Sequence, residues 1–294
     1  MRKRLVSILL SAVMLLVMCS CSIVNLLDSD YYDEDFSPDM AVHFLDVGQG
    51  DSIFIELPND ETMLIDAGEN YHGEGILNYI DDCGYSQIDY LIATHPHADH
   101  IGSMGYIVRN FDIGEIYMPK VSTNTKTYEN LLESILNKGL KVKTGKNGVN
   151  ILDTEELSID IIAPIEADES NLNNSSIIIK LVYGDTSFLF TGDAEKEELS
   201  EVTADLSADV LKVGHHGSRT STTEEFLSRV SPQIAVISCG KDNDYGHPHG
   251  STLELLNDFD CAVYRTDEDR TVIVETDGEY LSVRTGAASI ERAK

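Results

Sequence analysis

THPHADH, residues 94–100, sets three histidines and an aspartate within seven positions, directly behind the apolar run IDYLIA at residues 88–93. Such a run reads as a strand, and the turn at the carboxyl end of a strand is where layered α/β proteins carry ligand groups. Imidazole nitrogens and carboxylate oxygens are donors that a divalent transition metal takes. Of nine histidines in the chain, seven fall in three such turns: His95, His97 and His100 here, His215 and His216 in VGHHGS, and His247 and His249 in YGHPHG. Two further turns carry carboxylates, Asp66 in LIDAG and Asp193 in FTGD. Only His43 and His72 lie elsewhere. Histidines serving packing or solvation would not concentrate in this way, so the pattern points to a metal centre assembled from five turns.

The alternation continues outward. AVHFLDV, DSIFIEL, TMLIDA, DYLIAT, EIYMP, SIIIKLV, SFLFTG, DVLKVG, IAVISC and TVIVET read as strands. GILNYIDDC, YENLLESILNKG, TEEFLSRV and TLELLNDF read as helices, the last with Ser251 as its N-cap. Strands interleaved with helices imply an α/β layered domain. An internal repeat sharpens this. DSIFIELPNDETMLIDAGE resembles SSIIIKLVYGDTSFLFTGDAE, and IDYLIATHPHADHIGS resembles ADVLKVGHHGSRTS, which sets Asp89 against Asp209 and His95 against His215. Two halves of matching motif order, packed sheet to sheet about a pseudo-twofold axis, would bring both histidine turns to one edge.

The ends of the chain differ from its middle. Arg2, Lys3 and Arg4 precede the uncharged stretch Leu5–Met18, too short to span a bilayer and typical of a signal peptide over residues 1–20. Ser20-Cys21 resembles the lipobox of bacterial lipoproteins, which implies cleavage before Cys21, a lipid on its sulfur and an extracytoplasmic domain anchored to the cell membrane; a retained membrane anchor is the alternative. Residues 21–40 read as an acidic tether and 286–294 as a loose tail. Cys83, Cys239 and Cys261 would remain, an odd set that forms no disulfide framework.

Fifty-one acidic residues against 21 basic ones give a net charge of −30, which opposes indiscriminate binding of nucleic acid. One segment departs from this: between Lys120 and Lys146 lie Lys126, Lys138, Lys141 and Lys143, against Glu129 and Glu133 only. It is either a solvated helical face or the place where a phosphate-bearing substrate lies, with Lys120 and Lys126 as the candidate contacts.

HxHxDH behind an apolar strand, with LIDAG before it and TGD after it, resembles the metallo-β-lactamase superfamily. FLDVGQGDS, VGHHGS and YGHPH resemble the branch that contains the hydrolase domain of ComEC, a competence DNA-uptake channel. The resemblance covers residues 41–285 and implies a four-layer αββα sandwich of two pseudo-repeated halves. It also implies two divalent ions, zinc or manganese: the first on His95 and His97, the second on Asp99 and His100, Asp193 bridging, and His215 or His247 completing the second site. The repeat favours His215 over His216 as the ligand. Asp99, His216 and His249 are then candidates for proton transfer, as is His247. Asp66 matches the superfamily's supporting aspartate, and Asp51 and Asn174 are assigned to support as well.

Many superfamily members carry another histidine between the HxHxDH motif and the bridging aspartate. Here NLNNSS, residues 171–176, stands in that place. A neutral amide carbonyl is a weak donor, so the first site is expected to be low in affinity or to favour a harder ion such as manganese. Two-metal sites suit in-line displacement at phosphorus, so the expected activity is phosphodiester hydrolysis, with DNA as the first candidate substrate. A wall-linked or small phosphate ester is the alternative. A non-catalytic surface lipoprotein that binds metal or a partner is a third reading, and no obligate protein partner is implied.

Overall fold

The structure is a computed structural model that describes residues 36–287 and residue 290. The signal peptide, Cys21 and the tether to residue 35 lie outside the described residues.

The strands are β1 (Met40–Phe44), β2 (Ile53–Glu56), β3 (Thr62–Ile65), β4 (Gln87–Ile92), β5 (Asp112–Met118), β6 (Val142–Thr144), β7 (Val149–Asp153), β8 (Leu157–Ala163), β9 (Ile178–Tyr183), β10 (Thr186–Phe190), β11 (Val210–Lys212), β12 (Ile234–Ile237), β13 (Ala262–Arg265), β14 (Thr271–Thr276) and β15 (Leu281–Ala287). The helices are α1 (Gly73–Asp82), α2 (Ala98–Ile101), α3 (Met104–Asn110), α4 (Lys126–Lys138), α5 (Lys196–Glu201), α6 (Glu224–Val230), α7 (Gly250–Asp258) and α8 (Thr266–Asp269). One sheet runs β15-β14-β1-β2-β3-β4-β5-β6 and the other β13-β12-β11-β10-β9-β8-β7.

Alternate residues of each strand explain the layering. Met63 and Ile65 of β3 and Phe188 and Phe190 of β10 face inward, into a core shared by the two sheets. Leu64, one position out of phase, packs under α1, α3 and α4 with Ile76, Ile107 and Leu131. Leu189 packs under α5, α6 and α7 with Leu199, Phe226 and Leu256. Strands buried on both faces read as continuous apolar runs, which is why the sequence marks them clearly. The result is the four-layer αββα sandwich.

The repeat is visible in hydrogen bonds. Asp89, before the end of β4, accepts from the Thr62 amide (2.8 Å) and hydroxyl (3.2 Å) at the start of β3. Asp209, at the foot of β11, accepts from the Ser187 amide (2.9 Å) and hydroxyl (2.6 Å) in β10. The same carboxylate staple thus fixes the same strand pair in each half. In each half the strand before the staple joins an antiparallel hairpin, and those after it run parallel.

Some expectations from sequence need correction. β6, β7, β8, β13 and β15 are strands that the apolar pattern does not mark; β6 is exposed along its length, so it lacks an apolar signal. The helix given Ser251 as its N-cap starts at Gly250, with His249 at the N-cap position, two residues earlier. The tail reading fails for the residues described there: β15 continues to Ala287, and Ile290 is buried with its amide on the Asp46 carbonyl at 2.9 Å.

Candidate metal centre

The parallel strands end at one edge of the sandwich, and the loops leaving them carry the histidines and aspartates. Four ligand atoms, one each from Asp99, His100, Asp193 and His216, lie within 4.8 Å of one another. Asp99 and His100 come from α2, which follows β4; Asp193 follows β10, and His216 follows β11. His100 Nε2 lies 3.2 Å from Asp193 Oδ1, and among the described residues neither buried atom has a hydrogen-bond partner. His216 Nε2 lies 3.2 Å from Asp99 Oδ2 and 3.6 Å from Asp193 Oδ2. Orphaned buried nitrogen and oxygen atoms converging on one point fit a divalent cation, since unpartnered polar atoms are otherwise costly there.

Each ring is held from behind. His100 Nδ1 donates to Asp66 Oδ2 (2.7 Å), while the Thr94 amide (2.8 Å) and hydroxyl (2.6 Å) donate to the same carboxylate. His216 Nδ1 donates to the Ser238 carbonyl (3.0 Å) and lies 3.2 Å from Asp51 Oδ1. Both rings therefore carry their outward proton on Nδ1 and turn Nε2 to the centre. Asp51 Oδ2 meets Lys212 Nζ at 2.8 Å. Lys212 is 1% exposed, and it also donates to the Val213 carbonyl (3.1 Å). Gly50 keeps the Asp51 loop in place, because a Cβ there would overlap the Asp99 carbonyl that accepts the Asp51 amide.

The other half of the centre is more open. His95 Nδ1 faces the Thr94 hydroxyl (3.1 Å) and the Ser176 hydroxyl (3.3 Å), and its Nε2 lies 2.9 Å from His97 Nδ1 and 3.9 Å from Asp193 Oδ2. Ser176 also accepts the Asp193 amide (3.1 Å), so one hydroxyl sets both a histidine and the central aspartate. Asn174, assigned from sequence to a supporting role, accepts the Glu195 amide on its carbonyl (3.0 Å) and braces the loop after Asp193.

Of the doublet expected to supply a ligand through His215, the ring that the fold turns inward is that of His216. His216 is 1% exposed and belongs to the four-residue cluster, whereas His215 lies at the open face, with Nε2 3.7 Å from Asp193 Oδ2 and Nδ1 3.5 Å from Glu195 Oε1. The reason is backbone geometry. His215 (φ 51°) and His216 (φ 53°) both adopt the left-handed conformation, a strained choice for non-glycine residues that turns the chain and swings the second ring inward. His95, its counterpart in the repeat, has no such doublet. His247 stacks on Tyr245 and lies near His215 and His249 without joining the cluster. Burial and the neighbouring His216 and His215 push His247 down to about 4. His249 accepts the Arg219 amide on Nδ1 (3.2 Å). Of the two candidate lysines, Lys120 follows β5 at the edge that carries the centre, and Lys126 opens α4 on the outer layer.

Electrostatics set the proton inventory of the metal-free centre. Burial alone would raise Asp193, but His100 and His216 hold it well below the usual carboxylate range. Burial would lower His216, yet Asp193 and Asp51 lift it to about 10, and Asp193 and Asp66 likewise lift His100 against its burial. His95 is pushed well below its ordinary value by burial and by His100. Both His100 and His216 are therefore protonated at pH 7, and a metal ion must displace those protons. Uptake is expected to release about two protons, with affinity rising up to ~tenfold per proton for each unit that pH climbs towards the raised values. Calorimetric titration in buffers of different ionisation enthalpy counts them; a heat independent of buffer at pH 7 would contradict this inventory.

The family described as the metallo-beta-lactamase superfamily matches residues 45–241. ComE operon protein 3 of Bacillus subtilis is 35% identical over 256 residues, covering 80% of this chain and 33% of that protein. Recombination protein 2 of Haemophilus influenzae is 32% identical over 235 residues, covering 78% and 28%. The chain thus spans about a third of the length of these relatives. In fold it is similar to the metallo-beta-lactamase fold protein YhfI from Bacillus subtilis, with a TM-score of 0.52 and 13% identity over 81% of this chain and 99% of that one. On the family match, the sandwich and the converging ligand set together, the chain belongs to the metallo-β-lactamase superfamily and is a metal-dependent hydrolase.

Proposed function

We propose that this chain is an extracytoplasmic, lipid-anchored phosphodiesterase that hydrolyses DNA with two divalent ions, zinc or manganese. The observation that carries the reading is the placement of Asp193. Its Oδ1 lies 3.2 Å from His100, and its Oδ2 lies 3.6 Å from His216 and 3.9 Å from His95, so Oδ2 stands between the imidazoles of the two halves of the centre. His95 and His97 would hold one ion with Asp193; Asp99, His100 and His216 would hold the other. When bound, such a pair lowers the pKa of a water and offsets charge on the attacked phosphate.

The remaining work belongs to the side chains. Asp66, Thr94, Ser176 and Ser238 fix ring orientation before substrate arrives, so no reorganisation is needed at the moment of reaction. His97 and His215 are partly exposed and line the approach. His215 Nε2 is the group available to hand a proton to the departing oxygen, with Glu195 behind its Nδ1. In this proposal the catalytic role expected of His216 and the ligand role expected of His215 are exchanged. Support for DNA comes from the ComEC-like motifs and from the relatives named for the ComE operon and for recombination. The net charge of −30 favours a second reading, a small or wall-linked phosphate ester, because it opposes long-range capture of a polyanion.

The test is turnover of single- and double-stranded DNA beside bis-p-nitrophenyl phosphate by the full chain, reloaded with zinc or manganese, against the metal-free chain. Metal-dependent cleavage of DNA is the expected result. Turnover of the small diester alone selects the second reading, and no turnover of either removes both.

A further inference from the structure

The edge that carries the metal centre is electrically lopsided. Two clefts flank the centre, one on each side of β4 and β10. The first has a volume of about 420 Å³ and lies at the ends of β1 and β12. Asp46, Glu69, Asp242 and Asp244 line it, with Gln49 and Tyr245, and neither lysine nor arginine does. The second, about 530 Å³, lies at the ends of β5, β6 and β8, where Lys120, Thr144, Lys146 and Pro164 line it with a single carboxylate, Glu166. Both lysines are exposed, and among the described residues no carboxylate, Glu166 included, lies within ion-pair distance of either. This cleft thus carries two cations against one carboxylate, the reverse of the first cleft.

The second half of the fold gives the comparison. In the repeat, the end of β6 corresponds to the end of β13. There the basic residue is Arg265, and it is neutralised by Asp267 (2.7 Å) and Glu268 (2.8 Å). The equivalent place in the first half has no such acidic pair beside its cations. The basic cleft is also close to the centre. Gly145, between Thr144 and Lys146, lies against the Ile177 side chain, and the Ile177 amide donates to the Thr94 carbonyl (2.9 Å), next to His95.

We propose that the Lys120–Lys146 cleft binds a phosphate of the substrate other than the one attacked, so that a polymeric phosphodiester leaves the metal centre over this cleft and not over the Asp242–Asp244 side. The proposal rests on the phosphodiesterase reading and deepens it: a polymer is selected over a lone diester by its second phosphate. Lys120 and Lys146 act as point charges on phosphate oxygens, and Thr144 supplies a hydroxyl donor.

The test compares the full chain with a Lys120→Ala/Lys146→Ala variant and with a charge-matched Lys141→Ala/Lys241→Ala control. The ratio of kcat/KM for a single-stranded oligonucleotide to that for bis-p-nitrophenyl phosphate is expected to fall about tenfold in the cleft variant only. The dependence of oligonucleotide binding on salt, read by fluorescence anisotropy, is expected to flatten by roughly 0.7 in logarithmic slope for each phosphate that the variant no longer neutralises. A ratio and slope equal to those of the unsubstituted chain, or an equal fall in the control, overturns the proposal. If the unsubstituted chain turns over neither substrate, the phosphodiesterase reading fails by itself, and the binding slope alone still decides the cleft.

Discussion

Lys212→Met is expected to cost about 3–5 kcal/mol of unfolding free energy, because it removes one partner of a fully buried ion pair and leaves the other charged. Lys212 sits in β11 between apolar neighbours, and its ammonium is matched by Asp51 at 2.8 Å and the Val213 carbonyl. Lys212 holds Asp51 as a carboxylate at about 2 against its burial, with help from His216. Without the ammonium, that carboxylate is left with the His216 and His100 rings as its compensating groups. Denaturant unfolding of the metal-free variant measures the loss. The companion Asp51→Asn/Lys212→Met pair should recover part of it, since both charges leave together. A single-variant loss no larger than that of an exposed lysine would show that the pair is not a buried charge couple.

Asp193→Ala has the largest expected effect on activity. In the proposed two-ion centre its removal takes a donor from each ion, since Oδ2 lies towards both His216 and His95, and it leaves His100 and His216 without the carboxylate they face. Turnover is expected to fall at least ~10³-fold, comparable to the loss of a principal electrostatic group in other active sites. Bound metal, measured by elemental analysis after gel filtration, should drop from two ions per chain to one or none. Full stoichiometry with normal turnover would remove Asp193 from the centre altogether.

Much of this centre is legible in the chain itself because its donors are rare residues in repeated local contexts. His95, His97, Asp99 and His100 announce themselves by density, and Asp193 by its place after an apolar strand. The orientation of the His215–His216 doublet is not legible, since it depends on two left-handed backbone angles that no residue type there demands. Thr94, Ser176 and Ser238 are invisible for a different reason. Serine and threonine are common, and only the fold decides which one lies behind a ring. Lys212 does leave a mark: a lysine in the otherwise apolar DVLKVG either reaches solvent or has a buried partner, and the sheet on both its flanks leaves only the second option. For the fold, most strands buried on both faces are readable and exposed or edge strands are not; β8, interior and largely buried, is missed because Ser158 and Asp160 interrupt its apolar residues. The apolar runs lie in the middle of the sheets, whereas β6, β7, β13 and β15 lie at their margins.

The position of β1 bears on how such a chain is made. β1 pairs with β2 on one side and with β14 on the other, where Met40 meets Thr276. The first sheet thus stays open along one strand until β14 has been synthesised, although β1 emerges long before it. Every shorter nascent chain exposes the bare edge of β1, a site for wrong pairing. Completion of this sheet therefore waits on the β1–β14 pair, and a chain that stopped before β14 would keep that edge exposed.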